Sequence, residues 1–309
     1  MSMILPSQGQ YLYHYNIQVK KALPVKEVLV RRYGYSSRLL RQIKREGTLT
    51  INGRDCWLTD TVENGDEVTI TFPEETFDFK AVAGPLDIVY EDDEVLVANK
   101  AYDCVTHPTK SHQEDTLANY VAWHWQSLGV KSKVRFVNRL DRDTSGLVVI
   151  AKNKYVHHYI QSRMKGEEVT KTYIAFTNGV PQAPAGTIRA PIGRISQDSI
   201  ERQVMASGKM SVTHYEVLED YGDAAMVRLV LETGRTHQIR VHLKHIGCPI
   251  IGDSLYNTGD NPDYGIKRQA LHAAGLVFPL PKSGKTEVRA DLTEDLKTLR
   301  QRLRLKMER

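Results

Sequence analysis

The stretch that most limits the fold is residues 139–152, RLDRDTSGLVVIAK, in which a polar segment runs directly into an apolar one. The apolar part, residues 146–151, is short and rich in β-branched residues, which is typical of a strand buried inside a sheet. The polar part is then a loop fixed to that strand. Because loops held by a rigid scaffold often carry binding and catalytic groups, Asp141 is the first candidate functional residue.

Three other interpretations of this loop compete with a catalytic role for Asp141. Asp141 or Asp143 can close an Asx turn, which is a purely structural use of the carboxylate. A calcium loop is excluded because its twelfth position is Lys152, where a bidentate Glu is required. A sugar hydrolase needs a second carboxylate, and Asp143 is too near in sequence to face Asp141 across a sugar, so only a distant Glu keeps that alternative open.

A second informative stretch, residues 233–247 (TGRTHQIRVHLKHIG), predicts a helix. Thr236 is a good N-cap, and Gly247 followed by Pro249 ends the helix. An apolar stripe with the spacing i, i+4, i+7 is formed by Ile239, Leu243 and Ile246. These features predict that one side of the helix is buried and that the other side is free for polar contacts.

The rest of that helix surface is expected to carry His237, Arg240 and Lys244. Arg235 stands just before the cap, where a helix N-terminus already favours anions. The histidines His237, His242 and His245 raise the alternative of a zinc site, but their spacing is not i, i+4 and no carboxylate follows. No metal is therefore expected, and the pattern favours an anion-binding helix.

Charge is distributed unevenly along the 309 residues, whose formal net charge is +5. Residues 20–54 contain ten Lys and Arg but only two acids, Glu27 and Glu46. A basic block of this kind indicates a separate module with a polyanionic partner. Its second predicted helix carries four cations at spacings that let them meet phosphates together, namely Arg38, Arg41, Lys44 and Arg45.

Turn and cap signals divide the chain into a module at residues 14–75, a linker at 76–85 and a larger domain at 86–309. Ser36 and Ser37 can cap the second of two short helices, and Asn52-Gly53 is a turn pair between short strands. The larger domain alternates many strands with a few helices, which favours one α+β domain. Its last segment predicts a C-terminal helix from the leucines Leu292, Leu296, Leu299 and Leu303, with Thr293 as its cap.

Composition places few further limits on the protein. No apolar run reaches the ~18 residues of a membrane span, and the opening residues 1–6 lack the h-region of a signal peptide. The three cysteines form no CxxC pair, so we expect neither a disulfide framework nor a zinc site, and a cytoplasmic location. No nucleotide-binding or nucleophile-elbow motif was found, so no cofactor is expected. We expect a monomer.

The successive stretches RLDRDTSGLVVIAK, KTYIAF, TGRTHQIRVHL…GCPIIGDSLY and RQALHAAGLVFPLP closely resemble the motifs of the RluA family of RNA pseudouridine synthases. The stretch CVTHPTK at residues 104–110 also fits the family, and the resemblance covers about residues 85–282. The segment 14–75, which ends in GDEVTI, resembles the α-L RNA-binding module of a small-subunit ribosomal protein. One departure is Asn138, where many relatives have His, and we expect it to tune the catalytic loop.

This resemblance implies a fold and a chemistry. The fold is a mixed, mainly antiparallel β-sheet catalytic domain with flanking helices, preceded by the small α-L domain. The enzyme cuts the bond between uracil and ribose, turns the base and rejoins it through carbon, which needs no cofactor. The partner is structured RNA, ribosomal or transfer, and the target base has to be extruded into a pocket.

Residue roles follow from the same resemblance. Asp141 is implied as the essential carboxylate, Tyr173 as the aromatic residue on the flipped base, and Arg240 as the cation that keeps Asp141 ionised. Leu271 is implied as an apolar wall of the base pocket. We expect the flanking phosphates to be held by Arg139, Arg142, Arg235 and Lys244, with Arg139 first. The alternative is a non-catalytic RNA-binding or ribosome-assembly factor, which would be expected to have lost one of the three catalytic residues.

Overall fold

The computed structural model describes residues 12–308 apart from 165, 167, 260, 261 and 263, so the opening residues 1–6 lie outside the described part. The basic N-terminal segment folds into two helices and six short strands. They are β1 (Leu12–Asn16), β2 (Leu23–Pro24), α1 (Val25–Arg31), α2 (Ser37–Glu46), β3 (Thr48–Ile51), β4 (Arg54–Asp55), β5 (Thr61–Val62) and β6 (Glu67–Thr71). Four strands form an antiparallel sheet in the order β1-β6-β3-β4, and β2 pairs with β5.

Local sequence signals account for this segment. The Ser36 hydroxyl accepts a hydrogen bond from the backbone N–H of Leu39 at 3.2 Å, which confirms the predicted cap of α2. Asn52 and Gly53 both have positive φ, 50° and 76°, as a tight hairpin turn between β3 and β4 requires. The two predicted helices and the predicted turn are therefore confirmed.

The remaining chain forms the larger unit. Its strands are β7 (Ile88–Glu91), β8 (Val95–Lys100), β9 (Arg135–Phe136), β10 (Ser145–Ala151), β11 (Thr170–Asn178), β12 (Ala185–Arg194), β13 (Arg202–Val204), β14 (Lys209–Asp220), β15 (Ala224–Leu231), β16 (Leu271–Leu280) and β17 (Gly284–Arg289). Its helices are α3 (Leu117–Ser127), α4 (Lys154–Arg163), α5 (Gln238–His245) and α6 (Glu294–Met307). Within the described residues, no helix is long and apolar enough to span a membrane.

One mixed sheet organises this unit, in the order β13-β12-β14-β15-β11-β16-β10-β8-β7. Every neighbouring pair is antiparallel except β10 with β16, which run parallel over two residue pairs. The predicted α+β fold with a mainly antiparallel sheet is confirmed. β10 is buried along its whole length, as its apolar sequence predicted.

The C-terminal helix α6 covers one face of the sheet. Leu296, Leu299 and Leu303 are buried in a core shared with β11 and β15, which confirms the predicted leucine stripe. Thr293 occupies the N-cap position, but its hydroxyl makes no bond to a helix N–H and donates to Asp295 instead. The predicted cap is therefore right in position and wrong in its hydrogen bond.

An aromatic cluster joins the N-terminal unit to the larger one. The rings of Tyr35 and Tyr155 stack at 3.9 Å and 7°, and the Tyr155 hydroxyl donates to the carbonyl of Tyr33 at 2.6 Å. The Tyr13 hydroxyl donates to the buried carboxylate of Glu94 at 2.8 Å. Since these side chains belong to one continuous apolar core, the two units pack as one body.

Stability should depend on pH through Glu94. Burial raises the pKa of Glu94 to about 7, from its ordinary value near 4.5. The folded state thus holds a proton that the unfolded chain releases between these two values. We expect wild-type stability to fall by roughly 3 kcal/mol as the pH rises from 4.5 to 7, and Glu94→Gln to lack this fall. Urea unfolding of wild type and Glu94→Gln across this pH range measures the fall in stability. The same pH dependence of stability in both proteins would contradict the prediction.

Gly146, the second residue of β10, should tolerate no side chain. Its φ is +113°, and a Cβ there would overlap the backbone of Ala273 on β16. We expect Gly146→Ala to lower the free energy of unfolding by about 4 kcal/mol or more, because neither backbone can move aside. Gly53→Ala is the matched control, since Gly53 has φ +76° but nothing lies within 4 Å of its Cβ position. That control should lose only about 1–2 kcal/mol, from backbone strain alone.

Candidate active site

Two buried cations, Lys100 and Arg268, hold the loop between β9 and β10 in place. The ammonium of Lys100 donates to the carbonyls of Ala101, Cys104 and Arg142 at 2.8–2.9 Å. The guanidinium of Arg268 donates to the carbonyl of Asp143 at 3.1 Å. Burial lowers the pKa of Lys100 to about 8. These bonds fix the backbone that follows Asp141, and the Thr106 hydroxyl donates to the carbonyl of Leu140 just before it at 3.3 Å, so the Asp141 carboxylate has a defined position.

Asn138 closes the same loop against β10. Its side-chain amide donates to the carbonyl of Leu147 at 3.1 Å, and its side-chain oxygen accepts from the backbone N–H of Val149 at 2.9 Å. Both polar ends of the side chain are therefore used by the strand. Asn138 therefore has a structural task next to the loop that carries Asp141.

Asp141 extends from this loop toward α5. Its Oδ2 lies 3.2 Å from Nη1 of Arg240 and 3.8 Å from Nε2 of His237. The side chain is 32% exposed, and among the described residues Oδ1 accepts no hydrogen bond. One oxygen is thus held by a cation, while the other is available to a bound molecule.

Arg240 is buried, contrary to the expected position on the exposed surface of the helix. Its Nε and Nη2 donate to the two oxygens of Asp253 at 2.7 and 2.8 Å, and its Nη1 reaches Asp141. Burial favours the neutral form, but the bonds and charges of Asp253 and Asp141 outweigh it and raise the pKa of Arg240. The guanidinium therefore stays charged between two carboxylates.

His237 precedes α5 in a left-handed conformation, with φ 56°. Its Nδ1 lies 2.8 Å from the hydroxyl of Tyr256, which itself accepts the backbone N–H of Arg202 at 2.8 Å. Among the described residues, His237 is the acceptor available to the phenol proton, so we assign the ring proton to Nε2, which faces Asp141. Burial lowers the pKa of His237, partly opposed by Asp141.

A cavity lies beside Asp141. Tyr173, Leu271 and Leu231 supply apolar surface to its lining, and Arg240 and Asp141 supply charge. Burial and the nearby Asp141 raise the pKa of Tyr173, so its phenol keeps its proton. This mixture of apolar and charged groups suits a small, flat, partly polar ligand.

The cavity opens into a larger cleft of about 1740 Å³. Among the described residues that line the cleft, the only carboxylate is that of Asp141. The lining cations are Arg139, Arg142, Lys171, Arg194, Arg202 and Arg235. A cleft with this charge favours an anionic polymer, with one unit of that polymer entering the cavity.

The structure groups most of the expected site residues and separates others. Asp141, Tyr173, Arg240, Leu271, Arg139 and Arg235 line the cavity, and Arg142 lines the outer cleft, where it pairs with Asp143. Lys244 is in neither lining and lies 3.7 Å from Glu201. Arg38, Arg41, Lys44 and Arg45 are on the separate N-terminal unit, on α2.

The predicted N-cap of α5 was wrong. The helix begins at Gln238 with His237, not Thr236, in the N-cap position, and the Gln238 side-chain oxygen accepts the N–H of Arg235 at 3.0 Å, which holds the chain just before the helix. The weighed zinc ligands do not converge, since buried His242 bonds to Thr213 and to the carbonyl of Ala190. No group of three metal-ligating side chains was found within the described residues.

Sequence reasoning missed Asp253, Arg194 and Arg202, and gave His237 no role. Asp253 stands in the motif GCPIIGDSLY, but nothing local connects it to Arg240, 13 residues earlier. Arg194 and Arg202 flank the loop between β12 and β13, and their shared position at the cleft follows from strand pairing. β12 and β13 are consecutive strands of one hairpin, so a turn signal between them could have indicated this pairing.

The chain matches a family model and several curated relatives. The family model described as RNA pseudouridylate synthase matches residues 94–245. The RNA pseudouridine synthase YlyB of Bacillus subtilis is 40% identical over 87% of this chain and 90% of its own length. Ribosomal large subunit pseudouridine synthase D of Pseudomonas aeruginosa is 38% identical over 80% of this chain and 81% of its own length.

Solved structures show the same relationship. Human RNA pseudouridylate synthase domain containing 1 matches with a TM-score of 0.56 and 30% identity, over 71% of this chain and 95% of that one. Human RNA pseudouridylate synthase domain containing 4 matches with a TM-score of 0.59 and 25% identity, over 71% and 93%. This chain belongs to the RluA family of RNA pseudouridine synthases.

Proposed function

We propose that this enzyme converts uridines of folded ribosomal RNA into pseudouridine, with Asp141 as the carboxylate that breaks the glycosidic bond. The observation that carries the proposal is a single carboxylate, paired with a buried arginine, at the junction of a small cavity and a basic cleft. The ribosomal name of the Pseudomonas aeruginosa relative favours ribosomal RNA. Transfer RNA, the other substrate expected from the sequence, stays a prediction, as do the cytoplasmic location and the monomeric state.

The reaction requires the target nucleotide to leave its stack. Extrusion costs a few kcal/mol, which backbone contacts with the cleft offset. Inside the cavity the bond from the sugar carbon to uracil nitrogen breaks, and a bond from the same carbon to a ring carbon forms. That ring carbon loses its hydrogen as a proton, and the nitrogen gains one, so no cofactor is consumed.

Asp141 can serve this reaction by two routes, and both use the free oxygen Oδ1. The carboxylate attacks the sugar carbon as a nucleophile, or it stabilises the positive charge that develops when the base leaves. Both routes need an ionised carboxylate. Arg240 donates to Oδ2 and so fixes the direction in which Oδ1 points.

Tyr173, Leu271 and His237 have complementary places around the base. Tyr173 and Leu271 give the apolar surfaces against which uracil packs, and the protonated phenol of Tyr173 can donate a hydrogen bond. The Nε2–H of His237 points into the space beside Asp141. His237 is therefore suited to donate a hydrogen bond to the detached base or to Asp141 while the base turns.

Cations of the cleft and of the N-terminal unit hold the RNA backbone in this proposal. Arg139, Arg142 and Arg235 line the cleft and are assigned to the phosphates that flank the target. Lys244 is assigned to more distant phosphates, because it is outside the cleft lining. The N-terminal unit adds phosphate contacts through the cations of α2, which are Arg38, Arg41, Lys44 and Arg45.

The first test measures tritium release from ribosomal RNA labelled on the uracil ring. We expect Asp141→Asn and Asp141→Ala to lower the rate by about a thousandfold or more, because each removes the charged oxygen that the reaction needs. Filter binding should show that both variants still bind RNA. Wild-type release at background level, with RNA binding intact, would instead support a non-catalytic assembly factor.

Two further measurements separate the remaining alternatives. Chromatography of the products should show pseudouridine in the RNA and no free uracil, whereas free uracil would identify a sugar hydrolase. Mapping pseudouridines in cellular RNA with and without this gene identifies the substrate. Loss of a site in ribosomal RNA is the expected result, and loss only in transfer RNA would overturn the ribosomal assignment.

A second prediction concerns Asp253 as a positioning residue. Asp253→Asn keeps the shape but removes the charge that holds two donors of Arg240. We expect kcat to fall roughly 10- to 100-fold with little change in KM, as for partners that orient an active-site group. The loss comes from a guanidinium that turns toward Asp141 and occupies its free oxygen.

The matched control is Glu219→Gln. Glu219 also accepts hydrogen bonds from two arginines, Arg300 and Arg304 on α6, but it is not among the residues that line the cavity or the cleft. Both variants should unfold at lower denaturant concentration than wild type, yet only Asp253→Asn should lose kcat. Equal kcat values for the two variants would remove Asp253 from the mechanism.

A further inference from the structure

Trp57 on the N-terminal unit exposes 69% of its surface to solvent. It lies in the turn that follows β4, on a segment to which nothing above assigns a function. Single exposed apolar residues are common on protein surfaces, so exposure alone has no functional meaning. What distinguishes Trp57 is its surroundings.

A groove of about 780 Å³ runs beside the indole. It is lined by Arg41, Lys44, Arg45, Trp57, Leu58 and Thr59. The ammonium of Lys44 lies 5.2 Å from the centroid of the Trp57 ring. The groove therefore combines an aromatic ring, a small apolar floor and three cations, with no carboxylate among the described residues of its lining.

The cations of this groove differ in how far they are neutralised. Arg45 contacts the carboxylate of Glu46. Arg41 bonds to the helix carbonyl of Ser37 at 3.3 Å, and neither Arg41 nor Lys44 has an ion pair with a carboxylate among the described residues. Two positive charges next to the indole thus remain available to an anion.

The turn that carries Trp57 is rigidly built. The backbone N–H of Trp57 donates to the Asp60 carboxylate at 2.8 Å, and the N–H of Asp60 donates back to the Trp57 carbonyl at 3.0 Å. The carbonyls of Leu58 and Asp60 accept N–H groups from the start of α1. The nearby acid Asp60 is thus engaged with backbone, and the Trp57 backbone is held in place before any ligand arrives.

We propose that Trp57 is a stacking platform for an unpaired RNA base, with Lys44 and Arg41 binding the phosphates on either side of that base. An aromatic face accepts any base, and adjacent cations bind the backbone, which is the combination that single-stranded nucleic acids require. Duplex RNA offers phosphates but no open base face. This inference rests on the proposed RNA substrate and specifies the kind of strand that the N-terminal unit holds.

Helix α4 connects α2, the helix that carries the groove cations, to the cleft. Lys154, at its start, donates to Gln42 of α2 at 3.1 Å, and Gln161, near its end, lines the cleft. Seven residues of helix span on the order of 10 Å. Because the two units share one core, the groove has a fixed position relative to the cavity, and one RNA molecule can engage both.

The test measures binding of the full chain to a single-stranded 12-nucleotide uridine oligomer as a function of salt. We expect Trp57→Ala to weaken binding roughly 5- to 100-fold at every salt concentration, because stacking is lost while the phosphate contacts stay. Trp57→Phe should recover most of the affinity. Lys44→Gln should instead lower the slope of log K against log salt by about 0.7, the value for one phosphate contact on a single strand.

Trp123→Ala is the matched control, since Trp123 is 47% exposed on α3 and lines neither cavity nor groove. It should bind the oligomer like wild type. Equal affinities for Trp57→Ala and Trp123→Ala would overturn the proposal. Trp57→Ala should weaken binding of a duplex of the same length, or of a polyglutamate peptide, less than it weakens binding of the oligomer, because neither offers an open base. An equal loss of affinity for either ligand would also overturn the proposal.

This binding assay is independent of catalysis. If Asp141 does not isomerise uridine, the Trp57 platform can still be measured with the oligomer, and the failure would concern the proposed function alone. If tritium release is normal while Trp57→Ala binds the oligomer like wild type, the failure concerns the platform alone.

Discussion

The ion triad Asp141–Arg240–Asp253 is the interaction on which the site depends. A lone arginine next to Asp141 would form a two-bond pair with it and cover both oxygens. Asp253 prevents this, because it takes two donors of the guanidinium and leaves one for Asp141. Asp141 therefore keeps one free oxygen in a partly buried place.

The triad works only if the backbone on both sides of it is fixed. Asp253 accepts the N–H groups of Leu255 and Tyr256, and the Asp141 loop is held by Lys100 and Asn138. Lys100 and Asn138 are attached to strands of the central sheet, and Asp253 lies in the segment that follows α5. Burying a cation such as Lys100 is expensive unless its donors are satisfied, and here three carbonyls satisfy them. The sheet thereby defines the geometry of the Asp141 carboxylate.

Much of the fold could be predicted from local signals, whereas the site needed contacts that no local signal contains. The buried strand β10, the caps of α2 and the leucines of α6 follow from period and turn chemistry over a few residues. The helical period also placed Arg240 on an exposed surface. That was wrong because the period cannot indicate that a loop 99 residues earlier in the chain covers that side of α5. The pairing of Asp141 with Arg240 was expected from family resemblance alone.

The cations of the cleft also reduce a repulsion that the proposed substrate brings. RNA phosphates and the Asp141 carboxylate are both negative, so they repel one another as they approach. Arg139 and Arg235 line both the cavity and the cleft, together with Asp141. In the proposed complex their positive charges offset this repulsion where phosphate and carboxylate come nearest. The basic cleft therefore attracts the polymer and also makes the approach of a phosphate to the cavity less costly.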